Sequence, residues 1–150
     1  MTIHISRAAP AHLLSVGRQA TRPSAQRFID LHGDSENLLR LCDTAWSLSD
    51  GTYSFGVLGY VTVRPGYAVG WAMFDQSVAN ISSVELTRKI QSGLQVRMAR
   101  EGLCRMESSI DVTDSTALRW ARLLGFEIEG LMRKSSSINT DQWLIARIME

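Results

Sequence analysis

The chain has 150 residues, of which 45% are apolar and 21% charged, so it can bury a core of useful size as one domain, residues 1–150. With 16 Lys and Arg against 15 Asp and Glu, the net charge of +1 falls well short of that of a dedicated binder of nucleic acid or of acidic substrates, leaving nucleic-acid binding by the Arg-rich helix a weaker third reading. No apolar run is long enough to span a bilayer, and Met1 to Ser6 lacks the charged start and apolar stretch of a signal peptide, which predicts a soluble, cytoplasmic protein. Cys42 and Cys104 form no Cys-x-x-Cys pair and read as buried free thiols. His4, His12 and His32 are scattered through the sequence, so no metal site is predicted.

Thr2 to Ser6 alternates as a short strand, and Arg7 to Ala20 reads as a helix with Pro10 tolerated in its first turn. From Ser24 to Cys42 apolar residues recur at helical spacing, interrupted at His32-Gly33-Asp34, which predicts two helices or one broken there. The period then drops to two: Tyr53, Phe55, Val57, Val61 and Val63 alternate along a strand. Pro65 and Gly66 occupy the centre of a type II turn, returning the chain as an antiparallel strand over Tyr67–Phe74. Neither face of that strand is polar, so it is placed near the centre of a sheet with cover on both sides.

A helix opens at Ser82-x-x-Glu85, carries the stripe Leu86, Ile90, Leu94 and Met98, and stops at Gly102. Cys104 to Val112 alternates as a further strand, Asp114 or Ser115 caps a helix running to Leu124, and Gly125 ends it. Phe126–Met132 and Gln142–Ile148 close the chain as a hairpin around the polar loop Ser135–Asp141. Antiparallel pairs mixed with crossovers give an α/β fold around a mixed sheet.

The segment from Asp114 through Ala117, Trp120 and Leu124-Gly125-Phe126 to Arg133, followed by Asp141 and the last strand, resembles the C-terminal half of the GNAT N-acetyltransferase superfamily. Ala117-Leu118-Arg119-Trp120 before Leu-Gly-Phe, together with Gly70-Trp71, is similar to small GNAT-like proteins of tailed bacteriophages. The resemblance implies a mostly antiparallel central sheet of about seven strands with helices on both faces. Its fourth and fifth strands, here Tyr67–Phe74 and Cys104–Val112, part to admit acetyl-CoA. The backbone of Ala72, Met73 and Phe74 would pair with the pantetheine arm as an added strand does. The pyrophosphate would rest at the start of the next helix, at Asn80, Ile81, Ser82 and Ser83.

Three departures from the family pattern bear on activity. The segment Asp75 to Ser83 has no glycine where the family carries a Gly-rich pyrophosphate loop, and Asp75 and Glu85 bring negative charge to it. The base often carried by the fourth strand falls at Ala68 or Val69, leaving Asp75 and Asp111 as substitutes by proximity. The position of the usual tyrosine acid is Ala121. Trp71 and Trp120 read as core, Asp114 as an N-cap, and Arg88, Lys89, Arg97, Arg100 and Arg105 as a solvated basic face.

Two functions follow. One is an acetyl-CoA-dependent N-acyltransferase acting on a small-molecule or protein amine by direct attack. The other is a GNAT-fold phage protein without catalysis, structural or host-interacting, with a phage or host protein as partner. The final hairpin offers an edge for a homodimer.

Overall fold

The computed structural model describes residues 2–32, 40, 44–80 and 82–149. Seven strands form one sheet in the order β1-β2-β3-β4-β5-β7-β6, and four α-helices occur among the described residues. The strands are β1 His4–Arg7, β2 Ala45–Ser49, β3 Ser54–Arg64, β4 Tyr67–Phe74, β5 Arg105–Asp111, β6 Glu127–Met132 and β7 Gln142–Ile148. The helices are α1 Pro10–Arg18, α2 Pro23–His32, α3 Ser83–Arg100 and α4 Ser115–Leu123, with a 3-10 turn at Gln76–Asn80. The ladder of β4 with β5 is parallel; β1–β2, β2–β3, β5–β7 and β6–β7 are antiparallel. None of the described helices is long and apolar enough to cross a membrane, and no group of three or more His, Cys, Asp and Glu among the described residues could hold a metal ion.

The chain divides into two compact units, one made of Met1–Val61 and Trp71–Ile81, the other of Thr62–Gly70 and Ser82–Glu150. In the first, Leu13 and Val16 of α1, Ile29 of α2, Val57 of β3 and Met73 of β4 form a buried cluster, with Trp71 and Phe28 packed against it. In the second, Leu86, Ile90 and Met98 of α3 are buried, as are Leu103, Met106, Ala121, Leu124, Phe126 and Ile145. Three residues of the predicted α3 stripe are therefore core, as periodicity required.

The hairpin turn matches its prediction, with Gly66 at φ +83 after Pro65. Strand β2 was not predicted. Its small residues Ala45, Ser47 and Ser49 alternate with Trp46 and Leu48, and a register shift against β3 between Leu48 and Ser49 blurs the period. β4 is central as expected, but Val69 and Ala72 are exposed, so its cover is incomplete. Cys104 is exposed, which corrects the expectation of a buried thiol, because Leu103 takes the inward place beside it; Cys42 and the predicted break at Gly33-Asp34 lie outside the described residues.

The Leu-Gly-Phe motif is a helix stop. Phe126 N–H donates to Ala121 O at 3.1 Å and Gly125 N–H to Arg122 O at 3.0 Å, the paired bonds of a Schellman cap, with Gly125 at φ +91. The Arg147 guanidinium donates to Leu124 O at 2.9 Å, adding a cation at the negative end of α4. A Cβ at Gly125 would meet Arg147 Nε at an ordinary 3.5 Å, so the penalty for a side chain there comes from the backbone. Gly125→Ala is expected to lower Tm by about 3–6 °C. Gly93→Ala, inside α3 with nothing within 4 Å of the added atom, is expected to raise it by about 2–4 °C. Thermal melts of the two variants beside wild type check both signs.

Candidate functional site

The residues proposed to meet a coenzyme lie on β4 and on the chain after it. The ladder of β4 with β5 runs through Tyr67↔Arg105, Ala68↔Met106 and Val69↔Glu107 and no further, although β4 continues to Phe74. In an extended strand the backbone N–H and C=O of successive residues point to alternate edges. Gly66 O accepts from Cys104 and Arg105 N–H on the β5 side, whereas Asp75 N–H donates to Phe55 O of β3 at 3.0 Å. Phe74 O points outward again, accepting from Thr21 N–H at 2.9 Å. The phase is the same at both ends, so the groups of Ala72 and the N–H of Phe74 face away from β3, and those of Met73 face β3. Of the three predicted backbone contacts, Ala72 and Phe74 present groups on the outer edge and Met73 does not.

Beyond Phe74 the chain solves its turn without glycine. Asp75 is 1% exposed; its Oδ1 accepts from Ser77 N–H at 2.8 Å and from Ser77 Oγ, and its Oδ2 from the Tyr53 hydroxyl. Its carbonyl takes Val78 N–H at 3.2 Å and starts the 3-10 turn. None of residues 75–80 has positive φ, so no position there requires glycine. Asp75 is thus a buried anchor with its oxygens occupied. The Tyr53 phenol is held above its ordinary pKa by donating to that carboxylate, with burial adding to the shift.

Asn80 ends the 3-10 turn, and Ile81 lies outside the described residues. Ser82 caps α3 by accepting Glu85 N–H at 3.4 Å, and Ser83 is the first helical residue. The first-turn amides of α3 have no partner within the helix, the feature that suits an anion.

Asp111 ends β5. Its Oδ1 accepts from Thr113 N–H at 2.9 Å and from the Thr113 hydroxyl, its Oδ2 from the Thr140 hydroxyl, and these bonds hold its pKa below the ordinary 3.8. The carboxylate staples the β6–β7 loop to the end of β5 and is a weak base. Sequence reasoning missed a second carboxylate on the same strand, Glu107, at the last β4–β5 pair. Glu107 accepts from Tyr67 Oη at 2.5 Å and from Arg105 Nε and Nη2 at 2.9 and 2.7 Å; Arg105 also grips Glu129 with two bonds of 2.8 Å. The Tyr67 bond, then Arg105, lowers the Glu107 pKa. Alternation of Arg105, Glu107 and Ser109 on one face of β5 was the available signal for this cluster.

Trp120 is half-buried rather than core, and its Nε1 donates to Thr87 Oγ1 at 2.8 Å, joining α4 to α3. Arg97 is paired with Glu101 at 3.0 Å and Arg105 with two carboxylates, so these members of the predicted basic face are already engaged. Asp114 caps α4 as predicted, accepting Ala117 N–H at 2.9 Å.

No family model matches the chain, and no curated protein matches it in sequence. Its structure is similar to that of Ard1 from Thermoplasma volcanium, with a TM-score of 0.76 at 13% identity over 100% of this chain and 99% of that one. It is similar to an acetyltransferase of the GNAT family from Streptococcus pneumoniae, with a TM-score of 0.68 at 16% identity over 99% of this chain and 100% of that one. It also resembles yncA from Salmonella typhimurium, solved with its cofactor acetyl-CoA, with a TM-score of 0.70 at 14% identity over 100% of this chain and 95% of that one. The chain has the GNAT acetyltransferase fold.

A carboxylate whose folded pKa is depressed adds stability above its unfolded value, and that stability is lost as pH falls through the folded one. Wild type is therefore expected to lose stability below about pH 4. Asp111→Asn should be less stable at pH 7 and show a smaller drop in Tm between pH 7 and pH 3 than wild type, read by thermal melts in matched buffers.

Proposed function

We propose that the protein is an acetyl-CoA-dependent N-acyltransferase that moves an acetyl group onto an amine by direct attack, with residues 1–150 working as one domain in the cytoplasm. The observation that carries this reading is the outer edge of β4, where Ala72 and Phe74 present backbone groups past the end of the β5 ladder. An arm containing two amides can pair with outward-facing backbone groups as a further strand would. The fold shared with acetyltransferases supports the same reading.

Acetyl-CoA supplies an acetyl group already activated as a thioester. The chain's own part is positional. Ala72 and Phe74 align the arm, Ser82 and Ser83 start a helix whose free amides suit the pyrophosphate, and Asn80 precedes them in the connecting turn. Asp111 and Glu107 have hydrogen-bonded carboxylates with lowered pKa values, so neither is tuned to accept a proton near neutral pH, and the oxygens of Asp75 are occupied by Ser77 and Tyr53. The amine nitrogen bonds to the acetyl carbon as the C–S bond breaks, the amine gives its proton to water, and the departing thiolate takes a proton from water.

Calorimetric titration with acetyl-CoA and thiol-release assays over a panel of amines test the reading. Saturable binding with release of free thiol is expected; no heat and no thermal shift at millimolar acetyl-CoA would remove it. Binding without transfer to any amine would favour the second reading, a phage protein with a structural or host-interaction role, for which the occupied carboxylates argue. Ala72→Pro removes an outward N–H only and is expected to weaken acetyl-CoA binding about tenfold with little change in Tm. Met73→Pro, which removes a donor facing β3, is expected to lower Tm instead. The rate should rise tenfold per pH unit up to the pKa of the acceptor amine, and Glu107→Gln should leave that profile unchanged; a plateau set by Glu107 would mean that the enzyme supplies the base.

A further inference from the structure

In the first unit, the cluster built on Leu13, Val16 and Ile29 is buried, and Leu14, Ala25, Phe28 and Trp71 pack against it as a half-buried layer. Trp71 lies on the same face of β4 as buried Met73, two residues on. Among the described residues, the Nε1–H of Trp71 is buried and has no hydrogen-bond partner. A buried donor left unused is costly and rare, and it calls for an acceptor atom to complete it.

The surroundings set the chemistry of that acceptor atom. Apart from the indole N–H, the side chains of the cluster and its layer are apolar, so a carboxylate held among them would be desolvated with no counter-charge from them. A neutral carbonyl oxygen meets the N–H without that cost, and an apolar group attached to it extends the layer. Trp71 directly precedes Ala72, so a group bonded to the indole lies beside the segment of strand proposed to hold the thioester arm.

We propose that Trp71 selects the acceptor: its Nε1–H bonds the carbonyl of an aminoacyl amide with an apolar side chain, in preference to the free amino acid or to the amine without the carbonyl. The amine of that amide bonds to the acetyl carbon as the C–S bond breaks; its proton passes to water, and the thiolate takes one from water. The proposal rests on the acetyltransferase reading and names the class of its acceptor.

Leucinamide, leucine and 3-methylbutylamine share one side chain and carry an amide, a carboxylate and neither. Wild type, Trp71→Phe, which keeps an aromatic ring and loses the donor, and the control Trp143→Phe on β7 are assayed with all three by thiol release from acetyl-CoA. The indole ¹H–¹⁵N signal of Trp71 in wild type is followed as each compound is added with coenzyme A present. Wild type is expected to favour leucinamide over leucine. Trp71→Phe should lose about tenfold of the preference for leucinamide over 3-methylbutylamine, and Trp143→Phe should keep it. The Trp71 signal should move downfield with leucinamide and stay in place with 3-methylbutylamine; should Trp71→Phe fail to fold, that signal decides alone. An unchanged preference in Trp71→Phe, or a Trp71 signal that leucinamide does not move, would overturn the proposal, and thiol release with any amine would still leave the transferase reading intact. Failure of wild type to bind acetyl-CoA and to release thiol with every amine would remove that reading, and this proposal with it.

Discussion

A strand in the middle of a sheet has two edges of backbone donors and acceptors to satisfy, and β4 pairs its outer edge at its ends. Three residues ladder with β5, and the carbonyl of Phe74 is taken by Thr21. The interval between them is where Ala72 faces outward, within a strand whose inner edge is engaged by β3. In one unit the Arg105–Glu107–Tyr67 cluster stands at the end of the β4–β5 ladder, and in the other the α1–α2 connection is bonded to the end of β4.

The turn after β4 shows how a different sequence can reach the start of α3. A glycine-rich loop allows backbone to adopt left-handed conformations and approach an anion closely. Here a buried carboxylate organises the turn instead. Asp75 gathers Ser77 and Tyr53, the 3-10 turn follows, and no residue of 75–80 leaves the conformations open to ordinary side chains. The consequence is a buried, fully hydrogen-bonded carboxylate at the end of β4.

Much of the fold was legible because periodicity and punctuation agreed. The hairpin at Pro65-Gly66, the capped helix from Ser82, the N-cap at Asp114 and the stop at Gly125 each combine a pattern with a residue whose conformational role is specific. β2 was not legible because it is buried on both faces, by small Ala45 and Ser47 on one and Leu48 on the other, and its register slips against β3. The site was less legible than the fold. Backbone groups carry no sequence signal beyond their phase along a strand, so Ala72 and Phe74 could be placed but Met73 could not be separated from them. Asp75 and Asp111 stood at the expected positions, yet whether a carboxylate is a base or a staple depends on partners such as Tyr53, Ser77, Thr113 and Thr140, which only the folded chain brings to it. Glu107 became visible only through its contacts with Tyr67 and Arg105.

The central claim concerns individual amides, and amide hydrogen exchange resolved by residue addresses it most directly. With acetyl-CoA added at millimolar concentration, the amides of Ala72 and Phe74 should exchange markedly more slowly, while that of Met73, already turned to β3, should keep its rate. Exchange at Ala72 and Phe74 that is the same with and without acetyl-CoA would contradict the account.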